Sequence, residues 1–217
     1  MSLKGVVFDF NGTLVWDTAY HNRAFDVFFE KHNIRLTDEE KSVKIHGKTN
    51  ADIMLGVFER DLTDDETARF AIEKELIYQE LIVKDLKFAD GVVNLFEILK
   101  KKNIPFTIAT SADIINVDFY FRELQLHKWF DRNLVVYNDG TVRGKPYPDI
   151  FLRAAERLHI QPAEMVVFED SKAGIKAAEN AGTGKVVIVD SAGDDYSEFP
   201  HQIIRHFNEF DPEILGL

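Results

Sequence analysis

The chain has 217 residues, 45% of them hydrophobic, and a formal charge of -11 at pH 7. The length suits one large domain or one domain carrying an insertion, and the charge disfavours a nucleic-acid backbone as partner. There is no cysteine, which excludes disulfides and thiolate metal sites and fits a reducing, cytoplasmic setting; no apolar run is long enough for a membrane span, and MSLKGVV lacks the apolar stretch of a signal peptide.

The first element is GVVFDF, a β-branched and aromatic run that ends at Asp9 and turns through Asn11, Gly12 and Thr13. The run reads as a buried strand. From Asp17 to Leu86 no convincing strand follows. AYHNRAFDVFFEKH, NADIMLGVFER and DETARFAIEKELIYQELIVKDL have the spacing of amphipathic helices. This stretch reads as a helical insertion, residues 17–86, capping a site built by residues 1–16 and 87–217. Beyond it, IPFTIAT, LVVYN, MVVFED and KVVIVD read as further strands, and residues 91–102, 149–158 and 171–181 as helices between them. Alternating strands and helices predict an α/β fold, a doubly wound, Rossmann-like parallel sheet covered on both faces. The tail after Asp190 has mixed polarity and no catalytic pattern.

Ligands of such sheets bind at the carboxyl ends of the strands. Asp9, Thr110, Ser111, Glu169 and Asp170 all lie at predicted strand ends. A carboxylate such as Asp9 can attack phosphorus, provided a cation offsets the repulsion between two anions. The adjacent acids Glu169 and Asp170 suit a hard cation such as Mg²⁺. Thr110 and Ser111 offer hydroxyls, and Lys145, flanked by prolines in GKPYPD, offers a positive charge. Gly12 permits a tight turn that presents backbone N–H groups to a phosphate. Each feature also has a plainer reading: Asp9 as a turn residue, TSAD and FEDS as helix starts, Lys145 as a loop lysine. TDDET reads as an acidic helix start. AGTGK lacks the spacing of a P-loop.

In this order, DFNGTL, TS, KPYPD and FEDSKAGI resemble the four motifs of the haloacid dehalogenase superfamily. The helical insertion resembles its four-helix cap. DTAYHNRAF and GIKAAENAG are most similar to the β-phosphoglucomutase-like phosphatases within it. The resemblance implies a Mg²⁺-dependent phosphatase acting on a small phosphorylated metabolite, such as a sugar phosphate, through an aspartyl-phosphate. It implies Asp9 as nucleophile. Asp9, the backbone carbonyl of Asn11, and Asp170 would be metal ligands, with Glu169 helping directly or through water. Thr110 or Ser111 would bind phosphate, Thr110 being the motif residue, and Lys145 would neutralise nucleophile and phosphate.

The sequence departs from that pattern at Asn11. Phosphatases and mutases of the family carry an aspartate there as general acid and base, and an amide neither gives nor takes a proton at neutral pH. Asp17 and His21, at the start of the insertion, are candidate substitutes. Their alternative roles are structural, Asp17 capping the first helix of the insertion and His21 serving as a hinge contact. His21 and Lys48 are also candidate substrate-binding residues; Lys48, in KIHGKTN, follows Gly47 in what reads as a specificity loop. An isomerase that moves a phosphoryl group between two sugar hydroxyls, and a phosphate-metabolite binding protein with little turnover, are the alternatives. A monomer is expected.

Overall fold

The computed structural model describes residues 2–45, 50–58 and 60–215. The chain divides into two compact units, residues 1–16 with 86–217, and residues 17–85. In chain order the elements are β1 (Gly5–Phe8), α1 (Thr18–Lys31), α2 (Asp38–Lys44), α3 (Asn50–Val57), α4 (Asp64–Ile82), α5 (Val92–Lys101), β2 (Phe106–Ile108), α6 (Ile114–Glu123), α7 (Asp149–Leu158), β3 (Met165–Glu169), α8 (Lys172–Asn180), β4 (Lys185–Val189) and β5 (Gln202–Ile204).

In the α/β unit the five strands form one parallel sheet in the order β2-β1-β3-β4-β5. All four residues of β1 are buried, as expected of a central strand covered on both faces. Its side chains alternate between two packing environments. Val7 joins Val167 and Ile188 in a cluster with Phe151 and Ala154 of α7 and Ile175 and Ala178 of α8. Phe8 points the other way, stacking on Phe168 at 5.1 Å and meeting Phe96 of α5 edge-on at 5.5 Å. Two layers of helix therefore enclose the sheet. Among the described residues, no helix is long and apolar enough to cross a membrane.

One expected strand does not form, and one strand was not read from the sequence. LVVYN forms no strand: its one ladder contact is the isolated parallel bridge of Val136 to Ala109. The Thr107 hydroxyl donates to the Leu134 carbonyl at 2.8 Å, and Arg157 donates to that of Val135. Conversely, the tail contains β5, whose Ile203 and Ile204 pair with Ile188 and Val189.

The helical unit has its own apolar core, built from Phe25, Phe28 and Phe29 of α1, Ile53, Met54 and Val57 of α3, and Phe70 of α4. The TDDET start is realised as a capping box. The Thr63 hydroxyl accepts from the Glu66 N–H while the Glu66 carboxylate accepts from the Thr63 N–H.

Candidate active site

The register of the sheet sets the site. Phe8 is level with Ile108 and with Phe168, so the residues just beyond them, Asp9, Thr110, Glu169 and Asp170, emerge together at the carboxyl ends of three adjacent strands. The Asp9 N–H still donates to the Phe168 carbonyl at 2.9 Å, which makes Asp9 an extension of β1. The turn after it is closed by N–H donation from Leu14 and Val15 to the Phe10 carbonyl, at 2.8 and 3.1 Å.

Gly12 has φ +79°, and a Cβ there would lie 2.0 Å from Asp170 Oδ2. Only glycine tolerates both the left-handed backbone and so close a carboxylate. The Gly12 N–H donates to the Val15 carbonyl at 2.7 Å within the turn. Gly174, in α8, is constrained in the same way, since a Cβ there would lie 2.0 Å from Glu169 Cδ.

Lys145 joins the acids. Its Nζ donates to Asp9 Oδ1 and to Glu169 Oε2, each at 2.6 Å. Burial alone lowers the Lys145 pKa, but the charges of Asp9 and Glu169 outweigh it and hold the ammonium above its ordinary range. Glu169 also accepts from the backbone N–H and hydroxyl of Ser171, at 3.0 and 2.7 Å, and the Ser171 hydroxyl in turn caps α8 by accepting from the Gly174 N–H. FEDS is thus both a helix start and part of the acid cluster. Asp170 Oδ1 accepts from the Thr13 hydroxyl at 3.0 Å. Burial, then the charges of Glu169 and Asp9, raise the Asp170 carboxyl well above the usual carboxylate range.

Asp9, Glu169 and Asp170 each offer an oxygen, all within 4.8 Å of one another. Three buried or half-buried carboxylates crowd beside one ammonium, which bridges Asp9 and Glu169. A hard divalent cation with oxygen ligands matches that donor set in charge and chemistry.

Thr110 is buried, and its hydroxyl accepts from the Ala112 N–H at 3.1 Å, leaving its own hydrogen to donate. Ser111 is exposed. TSAD does start a helix, with Asp113 accepting from the Asn116 N–H at 3.4 Å at the head of α6.

The Asn11 side-chain amide donates to the Tyr120 hydroxyl at 2.7 Å. Tyr120, in α6, is 1% exposed and stacks on Phe10 at 4.1 Å. A second tyrosine was not legible as part of the site. Tyr196, in the loop between β4 and β5, donates its hydroxyl to the Asp170 backbone carbonyl at 2.7 Å and belongs to the core cluster behind the sheet. No motif surrounds it; a lone aromatic in an acidic loop was the only signal.

Asp17 and His21 belong to the helical unit. Asp17 precedes α1 but makes no side-chain cap. Its fully buried carboxylate instead accepts from the Tyr78 hydroxyl at 2.5 Å and lies 3.6 Å from His21 Nε2. The His21 ring stacks on Tyr78 at 3.8 Å, and its Nδ1 accepts from Lys74 Nζ at 2.9 Å. Lys74, 2% exposed, also donates to Glu75 at 2.9 Å, and Asn50 donates to the same carboxylate at 2.6 Å. Lys48 and Gly47 lie outside the described residues.

A strand-end aspartate, a lysine bridging it to a second acid, and a third acid next to the second meet at the carboxyl edge of the parallel sheet. Residues 3–182 match the haloacid dehalogenase-like hydrolase family, and the chain belongs to it. It is similar to a phosphorylated carbohydrates phosphatase of Thermotoga maritima, 31% identical over 85% of this chain and 84% of the relative. It is also similar to a β-phosphoglucomutase of Bacillus subtilis, 31% identical over 83% and 80%. The crystal structure of a family IA, variant 3 hydrolase of the same superfamily from Entamoeba histolytica superposes with a TM-score of 0.89 and 35% identity, covering 99% of this chain and 98% of that one.

Proposed function

We propose that the protein is a phosphatase that hydrolyses a small phosphorylated metabolite through an aspartyl-phosphate on Asp9. The observation that carries this reading is the meeting of Asp9, Glu169 and Asp170 around Lys145. The similarity to a phosphatase of phosphorylated carbohydrates supports the substrate class.

Asp9, Asp170 and the backbone carbonyl of Asn11 would hold Mg²⁺, with Glu169 assisting directly or through water. The ion would supply positive charge that lets a dianionic phosphate approach a carboxylate. Lys145 orients Asp9, and its charge stabilises the oxygens of the transferring group. The Thr110 hydroxyl donates to the phosphate, with Ser111 as the exposed alternative. His21 and Lys48 are assigned to substrate choice within the helical insertion, which we read as a cap. The isomerase reading is disfavoured by Asn11, because both halves of a phosphoryl exchange between sugar hydroxyls require a proton carrier.

The test is hydrolysis of 4-nitrophenyl phosphate with Mg²⁺ and with EDTA, by the protein and by Asp9→Asn. Turnover that requires both Mg²⁺ and Asp9 is expected. Metal-independent turnover, or an active Asp9→Asn variant, would remove the proposed nucleophile and cation together.

A further inference from the structure

Phosphoryl transfer from an alkyl phosphate needs a proton for the departing alkoxide. Among the described residues, the side chains bonded to Asp9 and to its neighbouring acids are committed elsewhere. Lys145 is bound to Asp9 and Glu169, and Glu169 accepts from Ser171 as well. Asp170 accepts from Thr13 and belongs to the proposed ion site. The Asn11 side chain is an amide whose N–H is committed to Tyr120. The Tyr120 ring is buried against Phe10, with its oxygen turned to that amide. Of the two substitutes read from the sequence, Asp17 is fully buried and engaged by Tyr78, and His21 is stacked on Tyr78 with Nδ1 facing Lys74 and Nε2 facing Asp17.

Resting on the Asp9 reading above, we propose that this site is specialised for phosphoryl donors whose leaving group departs without a proton: acyl phosphates, and aryl or enol phosphates. In the first step Asp9 Oδ forms a bond to phosphorus. The bond from phosphorus to the leaving oxygen breaks, and its electron pair departs as a carboxylate, phenolate or enolate. In the second step a water oxygen bonds to phosphorus, the bond from phosphorus to Asp9 breaks with its electron pair returning to the carboxylate, and the water protons stay on the released phosphate. Because the second step also lacks a base, it is the slow one, and the phosphorylated chain accumulates.

The experiment compares acetyl phosphate, 4-nitrophenyl phosphate and glycerol phosphate, each with Mg²⁺, by steady-state and rapid-mixing kinetics. The unmodified chain is expected to show kcat/KM for the first two exceeding that for glycerol phosphate by about 10²-fold or more. It should also give a burst of nitrophenol of about one equivalent before a slower steady rate. Asn11→Asp should raise glycerol phosphate turnover by about 10²-fold, change acetyl phosphate little in the first step, and abolish the burst by speeding the second. Tyr120→Phe, which keeps the ring and loses only the hydroxyl, should leave the ratio between substrates unchanged.

Glycerol phosphate turnover within about tenfold of acetyl phosphate in the unmodified chain would overturn the proposal. So would selective loss of glycerol phosphate turnover in Tyr120→Phe, which would make Tyr120 the proton donor. Asp9→Asn separates the two levels. If it still turns over, the nucleophile reading has failed whatever the substrate pattern. If it is silent while the unmodified chain shows a flat pattern, only the leaving-group proposal has failed.

Discussion

The two units bury charge in different ways. In the helical unit, Asp17 and Glu75 are buried against Tyr78, Lys74 and Asn50, with His21 between Lys74 and Asp17. Each carboxylate there is met by hydrogen-bond donors of the same unit. In the α/β unit, Asp9, Glu169 and Asp170 crowd their oxygens within 4.8 Å of one another, with Lys145 bridging Asp9 and Glu169, Ser171 donating to Glu169 and Thr13 to Asp170. A buried acid satisfied by protein donors holds a fold in register, whereas acids left in excess beside one another store repulsion that a bound cation relieves. The comparison separates a structural network from a reactive one without reference to sequence motifs.

The largest stability effect that sharpens this contrast comes from deleting the two buried lysines. Lys145→Met and Lys74→Met should each lower unfolding free energy by about 3–5 kcal/mol in EDTA, because each leaves buried carboxylates without their ammonium partner. Urea unfolding repeated with Mg²⁺ should restore much of the loss in Lys145→Met and little in Lys74→Met. Equal recovery in both would erase the distinction between the networks.

A smaller effect is expected at Tyr196. Tyr196→Phe keeps the ring in the core and removes one hydrogen bond to the Asp170 carbonyl. The cost should be about 1 kcal/mol of stability, together with weaker Mg²⁺ binding by calorimetry. Unaltered Mg²⁺ affinity would restrict Tyr196 to packing.

The smallest lies on the surface of the helical unit. The hydrogen bonds of Arg60, then of the Thr63 backbone, hold the Glu66 carboxyl at about 2, below its ordinary 4.5. A depressed carboxyl contributes stability above its unfolded pKa and loses it as pH falls towards the folded one. The Glu66 contribution should therefore be complete above about pH 4.5 and fade towards pH 2. Thr63→Ala, which removes the reciprocal cap, should cost about 1 kcal/mol and raise the Glu66 pKa in an NMR titration.

Much of the core was legible because parallel strands buried on both faces are written as short runs of Val, Ile and Phe. GVVF, FTI, MVVFE and KVVIV are strands, and the apolar spacing at 149–158 and the alanines of 171–181 are α7 and α8. LVVYN has the same composition but makes a single bridge at Val136, and QII was too short to announce β5. The acid cluster was readable because its members follow strands directly, and strand register carries them to one edge.

By itself the sequence determined the α/β class and the order of strand-end groups. These depend on local composition and on where each polar residue stands along its own strand. Only the tertiary structure decided that Asn11 is held by Tyr120, that Asp17 is locked to Tyr78 instead of capping α1, and that Tyr196 grips the backbone of Asp170. Those pairs join residues 109, 61 and 26 positions apart. No local pattern encodes such a meeting, because it is set by how whole elements pack and not by the preferences of either residue.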